Sequence, residues 1–195
     1  MRRFVSRAGE KLDHALTAFA FDVSGLTCAD FGSNTGGFTD CLLQRGAAKV
    51  CAIDTGYGVL EWKLRKDPRV VAMERTNAMH AALPETVDLV VIDVAWTRQR
   101  NILPAARRAI KPGGSVITLI KPHYESDSAQ LVQGVLPDES VAGVVDAVVR
   151  DIFACGLSVV QTVRSPIRGA KGNLEVLALL RSQLVTEVTS PADAE

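Results

Sequence analysis

The chain has 195 residues, 47% of them apolar and 23% charged, a balance that excludes disordered, fibrous and membrane-spanning classes and leaves an ordinary globule. Lysine plus arginine equals aspartate plus glutamate at 22 each, so contact with nucleic acid has to rest on a local patch rather than on a global positive field. No apolar run approaches the roughly 20 residues that span a bilayer, and the start lacks the apolar core of a signal peptide, so a cytoplasmic protein without a membrane partner is expected.

In chain order, Leu12, Ala15, Leu16 and Phe19 recur at helical spacing and predict an amphipathic helix over 7–20, capped by Ser6. From 27 to 120 short apolar runs alternate with helical ones, the pattern of βαβ units around a parallel sheet. Strands are expected near 27–31, 49–53, 69–73, 88–93 and 115–120. Helices are expected near 37–45 and 99–110, the second stopped by Lys111-Pro112-Gly113-Gly114. Residues 123–137 are polar and aperiodic and read as a long mobile loop behind a buried strand, where active-site lids occur. A helix over 138–155 and strands over 157–163 and 174–180 complete one domain over 1–185, with 186–195 reading as a disordered tail. Cys28, Cys41, Cys51 and Cys155 form no C-x-x-C pair and read as reduced core residues, and no metal site is expected.

The first strand ends in Asp30-Phe31-Gly32-Ser33-Asn34-Thr35-Gly36-Gly37-Phe38. Glycines here allow positive φ and close approach of a ligand, and the helix start offers free N–H groups. A dinucleotide site wants G-x-G-x-x-G and an acid about 20 residues later. Here Asp30 precedes the glycines and Asn34 replaces the middle one, which suits the ammonium of a methionine moiety better than a pyrophosphate. S-adenosylmethionine is therefore the expected cofactor, with Asp54 on the ribose hydroxyls and Asn77 near the adenine. An NAD site and a plain connecting turn are the alternatives.

Four polar residues fall at element ends: Lys11 on the first helix, Asp93 after strand four, Lys121 after strand five and Glu175 at the last strand. In an open parallel sheet ligands gather beyond the carboxyl ends of the strands. Such a quartet suits methyl transfer to an alcohol, an in-line displacement that needs a base and close alignment. A structural ion-pair network is the bland alternative.

These residues stand in longer strings: Ser6-Arg7-Ala8-Gly9-Glu10-Lys11-Leu12, Asp30 through Asp40, Trp62-Lys63-Leu64-Arg65, Asp67-Pro68-Arg69-Val70, Glu74-Arg75-Thr76-Asn77 and Lys171-Gly172-Asn173-Leu174-Glu175. Together they closely resemble the TlyA (hemolysin A-like) branch of FtsJ-type RNA methyltransferases, from about residue 4 to 181. The resemblance implies an α/β, Rossmann-like S-adenosylmethionine-dependent methyltransferase fold. Its sheet would be a mostly parallel seven-stranded one with one antiparallel strand and helices on both faces. It also implies 2′-O-methylation of ribose in ribosomal RNA by a Lys-Asp-Lys-Glu tetrad, here Lys11, Asp93, Lys121 and Glu175. By that analogy Lys121 is the base, Lys11 and Glu175 orient the ribose, and Asp93 lies beside the methyl group. The cofactor set is Asp30, Gly32, Ser33, Asn34, Gly36, Gly37, Phe38, Asp54, Asn77 and Asp93. The chain departs from the branch in starting almost at the catalytic domain, in Ala95-Trp96-Thr97 after strand four, and in His123-Tyr124-Glu125 where Gln-Phe-Glu is usual. Arg7, Arg168 and Lys171 are candidate phosphate contacts, and Trp96 and Tyr124 candidate stacking residues for RNA. A non-catalytic cofactor- or RNA-binding module is the alternative function.

Overall fold

The computed structural model describes residues 3–183. Helix α1 (Ala8–Ala18) is followed by β1 (Thr27–Phe31), α2 (Gly37–Gln44), β2 (Lys49–Ile53), the short α3 (Trp62–Arg65) and β3 (Val70–Met73). Next come β4 (Val87–Ile92), α4 (Gln99–Ala109), β5 (Ile110–Ile120), the short α5 (Pro122–Glu125), α6 (Val141–Ala154), β6 (Leu157–Arg164) and β7 (Val176–Ser182). The strands form one seven-stranded sheet in the order β3-β2-β1-β4-β5-β7-β6. Neighbours are parallel from β3 to β5, whereas β7 runs antiparallel to both β5 and β6.

Alternate residues of the central strands feed two cores, as a period of two requires when both faces of a sheet are covered. On one face Cys28, Val50, Leu89, Val91, Ile117 and Leu179 pack with Leu12, Leu16 and Phe19 from the α1 region and with Phe38 and Leu42 of α2. On the other, Ala29, Cys51, Val90, Ile92, Val116 and Leu180 pack with Ile102 and Leu103 of α4 and Val148 and Ile152 of α6. Cys28, Cys41 and Cys51 are buried free thiols and Cys155 is half-buried. Burial pushes the Cys28 and Cys41 thiols up to about 12, so they stay protonated core groups.

Several expected boundaries move. Helix α1 starts at Ala8 with Arg7 at the cap position and no side-chain cap. Ser6 instead contributes its carbonyl to the Gly9 N–H (3.2 Å), while its hydroxyl packs against Gly37. Strand β5 begins at Ile110, which pairs with Val87, and the Lys111–Gly114 stop is a bulge inside the strand where the register shifts. Residues 123–137 are folded rather than a mobile loop: α5, a 3-10 turn over Ser128–Gln130 capped by Asp127 and a Val132–Val135 bridge occupy them. Asn173 ties the segment down, its Oδ1 accepting the Leu136 N–H (3.0 Å) and its Nδ2 donating to the carbonyls of Gly134 and Ala170 (3.1 Å each). Strand β6 carries a second register shift between Val159 and Gln161. Among the described residues no helix is long and apolar enough to cross a membrane, and the tail expected over 186–195 lies outside those residues.

Two contacts lock α2 to its neighbours. Gly37, its first residue, lies so close to α1 that a Cβ there would stand 2.9 Å from the Ala8 Cβ and 3.0 Å from the Gly9 nitrogen. Asp30, fully buried at the end of β1, accepts the Thr39 N–H (2.9 Å) and hydroxyl (2.7 Å) on Oδ2, leaving Oδ1 without a partner. Burial raises the Asp30 carboxyl from 3.8 to about 7, the Thr39 hydrogen bonds opposing and the Asp93 charge assisting.

Two outcomes follow. Substituting Gly37→Ala is expected to cost about 1–3 kcal/mol through overpacking of α1 on α2, read as a lower midpoint in thermal unfolding. Because the folded Asp30 holds its proton more tightly than the unfolded one, its stabilising contribution is complete below pH 4 and is lost as pH rises through about 7. Denaturant titrations of wild type and Asp30→Asn across that range should therefore diverge, wild type losing ground as pH rises. Curves that stay parallel would mean that Asp30 is ionised throughout.

Candidate active site

Strands β1, β2, β4 and β5 are parallel, so the residues that follow them emerge at one edge of the sheet. Phe31 is in register with Ile53 and Ile92, which brings Gly32, Asp54 and Asp93 side by side. Strand β7 runs the other way, so its beginning reaches the same edge: Ile120 pairs with Val176, and Lys121 and Glu175 stand just beyond that pair. Helix α1 crosses above and contributes Lys11. Residues spread over 164 positions of sequence thus meet at one place.

The loop after β1 is held against the ends of β2 and β4. The Gly32 and Ser33 N–H groups both donate to the Ile53 carbonyl (2.9 and 3.0 Å). Gly32 has φ +84°, and a Cβ there would stand 2.8 Å from the Asp93 carbonyl oxygen, so glycine is required on both grounds. Asp54 accepts the Asn34 N–H (2.9 Å) on one oxygen and the Gly56 N–H (2.7 Å) on the other. Each oxygen keeps a lone pair for a ligand hydroxyl.

Two open cavities lie along this edge. One, of about 440 Å³, is lined by polar Asp54, Thr76 and Asn77 and by apolar Ile53, Met79 and Ile102. The other, of about 320 Å³, is lined by Ser6, Arg7, Lys11, Phe38, Lys121, His123, Tyr124 and Glu175, among others. Gly32, Asn34, Asp93 and Ala95 belong to both, so they form the passage between them. The first cavity suits a nucleoside: carboxylate lone pairs for ribose hydroxyls, an apolar slot for a flat base, and a Cβ-free floor at Gly32.

Four of the five charged residues lining the second cavity form two pairs, and Arg7 is the fifth. The Lys11 ammonium contacts the Glu175 carboxylate at 2.5 Å, with the side chains only 11% and 3% exposed. The Lys121 ammonium contacts Asp93 at 2.6 Å and donates to the Val94 carbonyl at 2.9 Å. Burial of charge is tolerable because each cation has an anion in contact. Gly169 matters here as well, since any side chain on it would collide with the Glu175 carboxylate.

Of the cofactor residues expected from sequence, Gly32, Ser33, Asn34, Phe38, Asp54, Asn77 and Asp93 line the two cavities. Asp30, Gly36 and Gly37 line neither. Asp30 is spent on Thr39, Gly36 (φ +95°) packs against Leu60 and Leu64, and Gly37 backs onto α1. Among the expected RNA contacts Arg7 and Tyr124 line the smaller cavity and Trp96 the larger. Trp96 is 86% exposed with φ +59° and lies 4.9 Å from the Tyr124 ring, centroid to centroid. Arg168 and Lys171 line neither cavity. Arg168 pairs with Asp138 (2.8 Å) and Lys171 reaches the Gln133 carbonyl (3.5 Å), so both fasten the 126–140 segment to the loop before β7.

Sequence reading missed the support beneath Lys121. The Glu125 carboxylate accepts the Gln99 N–H (2.8 Å) at the start of α4, and the buried Gln99 side chain accepts the Thr118 hydroxyl (2.7 Å). Burial pushes the Glu125 carboxyl up, opposed first by that Gln99 N–H. A carboxylate near a helix start was the available signal, hidden because neither α5 nor its packing on α4 has a periodic signature.

Comparison with known proteins agrees with this geometry. The FtsJ-like methyltransferase family matches residues 4–182. The 16S/23S rRNA (cytidine-2′-O)-methyltransferase TlyA of Mycobacterium tuberculosis is 44% identical over 188 residues, 93% of this chain and 70% of that protein. Hemolysin A of Brachyspira hyodysenteriae is 38% identical over 182 residues, 90% of this chain and 76% of that one. A solved structure described as a hemolysin from Streptococcus thermophilus superposes with TM-score 0.90 at 38% identity, covering 94% of this chain and 68% of that one. At 18% identity and TM-score 0.67, an S-adenosylmethionine-dependent methyltransferase from Listeria monocytogenes, with 91% of this chain and all of that one covered, shares the fold. With its sheet order, its glycine-floored passage and a match over nearly its whole described length, the chain belongs to the FtsJ-like methyltransferase family.

Proposed function

We propose that the protein transfers the methyl group of S-adenosylmethionine to a ribose 2′-hydroxyl of ribosomal RNA. Two lysine–carboxylate pairs in the wall of one cavity, joined through Asp93 and Gly32 to a nucleoside-sized cavity, carry this assignment. Relatives support the substrate: the TlyA proteins of Mycobacterium tuberculosis and Campylobacter jejuni, 44% and 31% identical, are named as rRNA (cytidine-2′-O)-methyltransferases.

In this scheme Asp54 holds the cofactor ribose with its free lone pairs, Asn77 and the apolar walls at Ile53, Met79 and Ile102 hold the adenine, and Gly32 to Asn34 hold the methionine part. When bound, S-adenosylmethionine supplies an electrophilic methyl group that the ribose oxygen takes up as the carbon–sulfur bond breaks. Lys121, in its neutral form, takes the hydroxyl proton, and Asp93 and the Val94 carbonyl fix where its nitrogen stands. Lys11 and Glu175 present a donor and an acceptor to the target ribose and hold its hydroxyl in line. Arg7, in the same cavity wall, is placed to meet the adjoining phosphate.

The two ion pairs cancel each other's charge and leave Arg7 as the one unbalanced charge in the cavity wall, so the paired region suits an uncharged hydroxyl and Arg7 the phosphate beside it.

Purified protein with labelled cofactor should methylate ribosomal subunits or rRNA, and nucleotide mapping should put the label on a ribose 2′-oxygen. Replacing Lys121→Ala should lower turnover by about 10²–10⁴-fold while calorimetry finds S-adenosylhomocysteine bound as in wild type. Label on a base, or a fully active K121A, would overturn the assignment.

A further inference from the structure

His123 takes no part in the chemistry above, yet its setting is that of a working group. It follows Lys121 by two residues, is 8% exposed, and lines the same cavity as Lys121, Lys11, Arg7 and Glu175. Its ring packs on Tyr124 with centroids 4.1 Å apart at 48°. Nδ1 is buried and has no hydrogen-bond partner in the protein. Gln99, Asn173 and Glu175 are paired, with Thr118, with Leu136 and Gly134, and with Lys11; Asp30 Oδ1 and Ser126 Oγ also lack partners, but neither residue lines this cavity. An unpartnered buried nitrogen is costly to keep, and of the three such atoms among the described residues only His123 Nδ1 belongs to a residue that lines the cavity, where a ligand can supply the partner.

The chemistry of the ring suits that use. Burial, aided by the Lys121 charge, holds His123 below the usual histidine range, so the imidazole is neutral and offers one N–H and one lone pair. The lysines and Arg7 beside it can only donate. A neutral imidazole can therefore read either a carbonyl or an amino group on a nucleobase edge, which those cations cannot discriminate.

We propose that His123 is a specificity-determining residue, its ring nitrogen making a hydrogen bond to the target nucleotide when that nucleotide enters the cavity beside Lys121. The inference rests on the RNA methyl-transfer reading and adds to it the group that distinguishes one nucleotide from another.

The contrast between His123→Phe and His123→Asn tests it. Phenylalanine keeps a flat ring against Tyr124 without a polar atom, and asparagine puts an amide where Nδ1 stands. With ribosomal subunits as substrate, H123F should lose about 10–100-fold in kcat/KM while its melting temperature and S-adenosylhomocysteine affinity stay at wild-type values, and H123N should recover much of the loss. Should H123F lose its cooperative melting, H123N against His123→Ala carries the same contrast. Wild-type kcat/KM in H123F, or equal losses in the polar and apolar variants, overturns the proposal. A wild type that methylates no RNA overturns the functional reading itself, whereas an active wild type with an unaffected H123F overturns the role of His123 alone.

Discussion

The antiparallel pairing of β7 with β5 is the constraint on which the site depends. Every other central strand leaves its carboxyl end at the reactive edge, and a further parallel strand after β6 would have put its first residue at the opposite end of the sheet. Because β7 is reversed, its start sits beside the end of β5, with Val176 opposite Ile120, and Glu175 arrives where a lysine on α1 needs a counter-charge. A buried ammonium without that carboxylate would be strongly destabilised. One change of strand direction therefore decides whether Lys11 can be buried at all, and with it the orientation of α1 over the cavity.

The same edge explains the division of labour between the two cavities. The larger is built from the ends of β1, β2 and β4, where hydrogen bonds run from backbone to Asp54 and leave lone pairs facing outward. The smaller is built from α1, β5 and β7 and is dominated by charged side chains that already have partners. Arg7 adds an unbalanced positive charge to the smaller cavity, and the exposed indole of Trp96 lines the larger.

Much of this was legible in the residues. Alternating apolar runs located the strands, the glycine loop after Phe31 located the turn that floors the passage between the cavities, and the ordered strings around Lys11 and Glu175 pointed to the FtsJ-like methyltransferase family. What could not be read was what each polar group had already been spent on. Asp30, expected at the cofactor, gives its Oδ2 to Thr39, nine residues on, and lines neither cavity. Arg168 and Lys171, expected as phosphate contacts, also fasten a segment that aperiodic sequence had presented as a loop. Ser6 looked like a cap, and close contact between α1 and Gly37 put its hydroxyl to another use. Periodicity reports which face is buried and is silent on partners far along the chain, which is why these contacts could not be read from the sequence.

The outer strands of the sheet add a consequence of a different sort. At one margin β3 has four residues; at the other the register shift between Val159 and Gln161 breaks the run of β6. A short margin and a bulged one are poor templates for another strand. Side-by-side growth into larger assemblies is thereby discouraged in a protein whose sheet is otherwise apolar on both faces.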